Sequence, residues 1–162
     1  MEKEESKLEK LKENYAKIQE IHNLPDFNLL NSDFSIEKLA EIETDFLIRE
    51  VVKSMADKFS SYLRFVEVLI NPANAQMFVF SIVKTLDVEE KNKLSEIYKE
   101  LAKIELNLIE LDVEFSEKKD ADFIKNSYEI WNNLKKDLLN ILGKIKLNWN
   151  KKNESNSKGY FG

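Results

Sequence analysis

Two pairs of acidic residues, Glu41/Asp45 and Glu110/Glu114, stand four positions apart in this chain. On a helix that spacing turns both carboxylates to one side, where they can share a cation. Arg49 and Arg64 are the only arginines among 25 basic residues. A planar, multidentate cation suits a buried carboxylate, a phosphate or a subunit contact. Asp45 has Arg49 four residues on, at ion-pairing distance along a helix, so structural salt bridges are the expected use of both arginines and ligand binding the alternative. Histidine is the side chain whose charge changes most readily around neutral pH; at a helix end the single histidine, His22, reads as a cap on exposed carbonyls. At the C-terminus Lys151 and Lys152 precede Tyr160 and Phe161. Lysines among aromatics suit single-stranded nucleic acid or a short peptide motif docking into a partner's groove; the alternative is a solvated tail.

The acid-x-x-x-acid spacing at Glu41/Asp45 and Glu110/Glu114 resembles the acidic helix motifs of PhoU-like helical bundles, which implies metal held by carboxylates on a helical scaffold. Read from the residues alone, in a chain of 30 acids, the same pairs are solvated surface charge. A di-iron bundle of the ferritin type is excluded, because its sites need a Glu-x-x-His motif on two helices and none occurs here. No Ser/His/Asp set and no nucleophile with a neighbouring base can be assembled. The absence of cysteine removes disulfides, thiol nucleophiles and thiolate metal sites. No catalytic residue and no cofactor is expected.

The elements that carry these residues are helical. Of 162 residues, 3 are Gly and 2 are Pro, too few for Gly-rich phosphate loops or a β-rich fold. Charged residues make up 34%, the mark of long helices with solvated faces. The net charge of −5 argues against a surface that grips nucleic acid all over. The opening residues have no apolar core of the signal-peptide kind, and a cytoplasmic location is expected.

Leu8, Leu11, Tyr15 and Ile18 give the first helix a narrow stripe, spaced 3-4-3. Residues 23–34, with Pro25, read as a connector whose Leu24, Phe27, Leu29, Leu30 and Phe34 pack onto the body. Ser35 then reads as the N-cap of one long helix running to Ile70, stopped by Asn71-Pro72. Asn71 and Pro72 are equally suited to open a third helix ending near Leu86. Within it Met77–Val83 is apolar on every side. Asp87-Val-Glu-Glu90 is a capping box for a fourth helix. That helix bears the cleanest seam in the chain: Leu94, Ile97, Leu101, Ile104, Leu108, Leu111 and Phe115, spaced 3-4 throughout. A fifth helix is predicted over about 121–149, with Gly143 marking a close helix crossing. Residues 88–117 carry net −5 and residues 123–149 net +3, which favours an antiparallel hairpin between helices four and five.

The expected fold is therefore all-α: an antiparallel bundle of four to five helices with coiled-coil-like packing, a long central helix and a C-terminal helical hairpin. Residues 1–149 form one domain, with 1–22 as a peripheral helical arm, and 150–162 form a disordered basic tail. The leading functional reading is a non-catalytic protein of interaction or assembly that self-associates through the 3-4 seam, without contact with membranes. The alternative is a nucleic-acid-associated accessory protein using the Lys-rich C-terminal helix and tail; the third is a carboxylate metal-binding bundle.

Overall fold

The chain is all-α in a computed structural model that describes residues 2–73 and 75–158, with the side chains of 6–73 and 75–151. Six α-helices follow in order: α1 (Glu2–His22), α2 (Phe27–Phe34), α3 (Leu47–Ile70), α4 (Met77–Val83), α5 (Val88–Val113) and α6 (Glu117–Lys158). A 3-10 segment, Ile36–Glu41, lies between α2 and α3. No strand occurs among the described residues. The chain divides into two compact units. One comprises residues 1–61 and 103–130, the other 62–102 and 131–162.

In the first unit α1 ends at Asn23, which adopts a left-handed φ of 53° that asparagine tolerates. The Leu24 N–H then reaches back to the Gln19 carbonyl at 3.2 Å, closing the last turn as a Schellman motif. Leu11 and Tyr15 are buried, and the Tyr15 hydroxyl donates to the Pro25 carbonyl at 2.7 Å. Burial, and the nearby Asp26 charge after it, push the Tyr15 phenol well above its ordinary pKa.

The connector expected over 23–34 is packed down, but it is also helical. Asp26 accepts from the Asn28 N–H at 2.8 Å and so caps α2, which buries Phe27, Leu30 and Phe34 on one face. Leu29 points to solvent. The single long helix predicted from Ser35 is replaced by two elements. Ser35 closes α2 in a left-handed conformation and makes no side-chain cap. Asn31 pins Glu37 twice, accepting from its backbone N–H and donating to its carboxylate. Ile36 and Leu39, three apart, are both buried, which suits the three-residue turn of a 3-10 helix. At Thr44 the hydroxyl accepts from the Phe46 N–H at 3.0 Å, a local bond that competes with helix, and α3 begins after it. Val51, Val52, Met55 and Phe59 then bury one face of α3. Phe59 packs on Phe34 with centroids 5.3 Å apart.

In the second unit, Val66 and Leu69 continue the buried face of α3, and Tyr62 stacks flat on Trp131 at 4.9 Å. The third helix is shorter than the 71–86 the sequence predicts. Pro72 sits in a turn, and only Met77–Val83 is helical. Asp87 and Glu90 form the expected capping box, each accepting the other's backbone N–H at 2.8–2.9 Å. Trp131, Leu134, Leu138, Ile141 and Ile145 form the buried line of α6, spaced 3-4-3-4 as a helix packed on a helix requires. α5 and α6 run antiparallel here, because Glu90 meets Lys144 while Lys93 meets Asp137.

α6 starts at Glu117, four residues before the predicted start, because Ser116 offers its carbonyl to the Asp120 N–H at 2.9 Å. It continues through Lys158, where a disordered tail is expected from residue 150. No Pro or Gly interrupts residues 150–158. No helix is long and apolar enough to cross a membrane among the described residues.

Candidate interaction site

The seam of α5 is spent inside the chain. Leu94, Ile97, Leu101, Ile104 and Leu111 are buried, Leu108 is half-buried, and Phe115 lies exposed just past the helix end. Phe115 nonetheless has neighbours, Phe46 edge-on at 6.1 Å and the Arg49 guanidinium at 4.9 Å from its ring centre. As a surface for partners, the seam is corrected to core.

On the far side of the same helix a second apolar line is exposed. Leu106 is 66% exposed, Ile109 56% and Val113 84%. Their 3-4 spacing confines them to an arc of about 60°, roughly opposite Ile104, Leu108 and Leu111, at about 100° per residue. Ser60 on α3 donates to Glu105 at 3.0 Å. Lys119 on α6 reaches Glu114 at 2.6 Å and Glu110 at 3.9 Å. Those contacts fix the two edges of the line and leave its crest in solvent. Glu105 and Asp112 border it on one side, Glu110 and Glu114 on the other. This outer line was legible in the sequence, yet the stronger inner seam masks it.

Arg49 ties α3 to α5 and α6 within the first unit. Its Nε lies 2.9 Å from Asp120 Oδ2, its Nη1 3.4 Å from Asp112 Oδ1, and its Nη2 donates to the Leu111 carbonyl at 3.1 Å. The expected structural role is what this geometry supports. Asp120, which the sequence reading passed over, is 1% exposed, and neither of its oxygens accepts a well-aligned hydrogen bond among the described residues. Burial pushes its carboxyl pKa up, and Arg49 opposes that shift without cancelling it. Arg64, by contrast, is exposed and makes no ion pair among the described residues.

The carboxylate pairs do not form cation sites. Glu41 ends the 3-10 segment and Asp45 stands in the extended link beyond it, so they share no helix face; Glu41 is paired with Lys7. Glu110 and Glu114 share the Lys119 ammonium, which holds the Glu114 carboxyl below its usual pKa. No group of three or more His, Asp or Glu among the described residues is placed to hold a metal ion. His22 meets Glu117 at 3.0 Å instead of capping its helix. Lys151 is exposed on α6; the Lys152 side chain, Tyr160 and Phe161 lie outside the described residues.

In the second unit, exposed apolar side chains gather on α4 and α6. Met77, Phe78 and Phe80 face solvent while Val79 is buried, so three of the six apolar residues of α4 are surface. Trp149 packs edge-on against Phe78 at 6.5 Å. A groove of about 470 Å³ between α5 and α6 is lined by Leu139, Ile141, Gly143 and Leu147, with Glu90, Lys93, Asp137 and Lys144 at its rim.

No family model, curated protein or solved structure matches the chain. The functional reading rests on the geometry above.

Proposed function

We propose that this chain is a non-catalytic, cytoplasmic helical-bundle protein of interaction or assembly, and that it receives a partner helix along the outer face of α5. The observation that supports this reading is the exposed Leu106–Ile109–Val113 line, set at helical seam spacing with no cover from either neighbouring helix. Knobs at 3-4 spacing seat between the side chains of a second helix, and an exposed row of three large apolar residues on one helix face is the kind of patch that marks an interface. The partner that fits is an amphipathic helix flanked by lysine or arginine, because four carboxylates border the line, and Lys119 and Arg49 neutralise them in part.

A synthetic helical peptide with leucine at the seam positions and lysine at the flanks tests this. Binding to the full chain is expected to weaken with salt and to be lost in the Leu106→Asp/Val113→Asp variant. Non-specific attraction to an acidic protein predicts the reverse, since those substitutions add negative charge. Retention of binding in the variant, or none by the native chain, removes the reading.

A further inference from the structure

We propose that the helix received by the outer face of α5 is α4 of a second copy of this chain, so that copies join head to tail. The inference rests on the α5 reading above and names its partner.

Copies of a chain with net charge −5 repel one another, so self-association needs a place where the acids give way. The two longest runs without Asp or Glu are residues 68–86 and 138–153. The fold brings them together within the second unit. Phe78 of α4 packs edge-on against Trp149 of α6, with ring centres 6.5 Å apart. The Asn148 side-chain amide donates to the Thr85 carbonyl at 3.4 Å. Among the lysines of these runs, Lys144 is spent on Glu90 at 3.0 Å. Lys84 and Lys146 are exposed and make no ion pair among the described residues. Lys146 precedes Trp149 by three residues and so shares its side of α6.

α4 also has the spacing that the α5 face requires. Met77, Phe80 and Lys84 stand 3 and 4 apart, and all three are exposed. Lys84 keeps the helical turn, with φ −65° and ψ −19° and its N–H on the Phe80 carbonyl at 3.1 Å. Val79 is buried behind them. Leu106, Ile109 and Val113 stand at the same two intervals on α5. Each row runs about 10 Å along its helix, and the side chains of one can seat between those of the other. Their charges are opposite. Glu105, Glu110, Asp112 and Glu114 border the α5 row, and Lys119 and Arg49 offset two of the four. Arg49 is shared with Asp120 as well, so at least two negative charges are left to meet Lys84 and Lys146. A contact between two unlike faces is heterologous, and its repetition closes into rings or grows into chains.

Sedimentation of the full chain over a range of concentration and salt tests this. The native chain is expected to associate, and to do so less as salt rises. Leu106→Asp/Val113→Asp breaks the α5 face, and Met77→Asp/Lys84→Glu breaks the α4 face. Each variant alone is expected to associate at least tenfold more weakly. Mixed in equal amounts, the two should form a complex that stops at two chains, since each retains the face the other lacks. Unfolded chains could not restore association in this way. Lys84→Glu/Lys146→Glu, confined to exposed lysines, is expected to weaken association too. Indifference to that variant overturns the inference, as does a mixture that stays monomeric. Association that survives Met77→Asp/Lys84→Glu overturns it as well, and assigns self-contact to another surface. Native monomers that still bind the lysine-flanked peptide overturn it and leave the α5 reading standing. Native monomers that bind no peptide remove both.

Discussion

The inner and outer sides of α5 are built from the same kinds of residue at the same spacing, and their fates are opposite. Ile104 is fully buried, while Leu106, two residues on, is 66% exposed. Spacing determines that residues share a side of a helix; it does not say whether the chain has another element to lay against that side. The inner side meets its own neighbours, with Arg49 binding the Leu111 carbonyl and Ser60 the Glu105 carboxylate along its margin. The crest of the outer side, Leu106, Ile109 and Val113, stays exposed among the described residues. An apolar row left uncovered keeps the capacity to bury surface against something else, and that capacity is what distinguishes a candidate interface from core.

The difference predicts a hierarchy of effects. Ile104→Asp should unfold the chain, because it buries an unpaired charge, whereas Leu106→Asp should leave helical circular dichroism and melting unchanged. Equal damage from the two would erase the distinction. Arg49→Ala should cost about 3 kcal/mol or more in chemical denaturation, since it strands Asp120 without its counter-ion. Arg64→Ala should fall within about 0.5 kcal/mol of the native chain, as surface substitutions do. Asp87→Ala, which breaks the capping box of α5, should cost about 1 kcal/mol.

The smallest effect concerns pH. Burial raises the Asp120 carboxyl above its ordinary pKa, so the folded chain holds that proton more tightly than the unfolded one. The stability Asp120 contributes is present below the unfolded pKa and is lost as pH rises through the folded value. Melting curves of Asp120→Asn from acid to neutral pH should therefore lack that decline. A native decline of the same size in the variant would assign it to other groups.

Much of this architecture was legible beforehand. The capping box at Asp87–Glu90, the inner seam of α5 and the buried line of α6 are local patterns, and local patterns survive folding when nothing competes with them. The errors came where a short polar contact outweighed the pattern. Asp26 made a helix of what read as a connector, and Thr44 with the Asn31–Glu37 pair cut the long predicted helix in two. The candidate site divides in the same way. The spacing of Leu106, Ile109 and Val113 could be read directly, but only their exposure shows that the line is unpartnered. Gly143 reads as a crossing, and the empty space around it shows none there among the described residues.

The sequence by itself determined the class: scarce glycine and proline, seams at helical period and caps in place leave no route to any fold but a helical one. Tertiary structure alone decided which carboxylate is buried, which arginine is paired, and which of two equivalent apolar rows becomes core. Those outcomes depend on residues distant in the chain, such as Arg49 with Asp120 and Ser60 with Glu105. Burial and ion pairing are properties of neighbours in space, and helical periodicity carries no information about them.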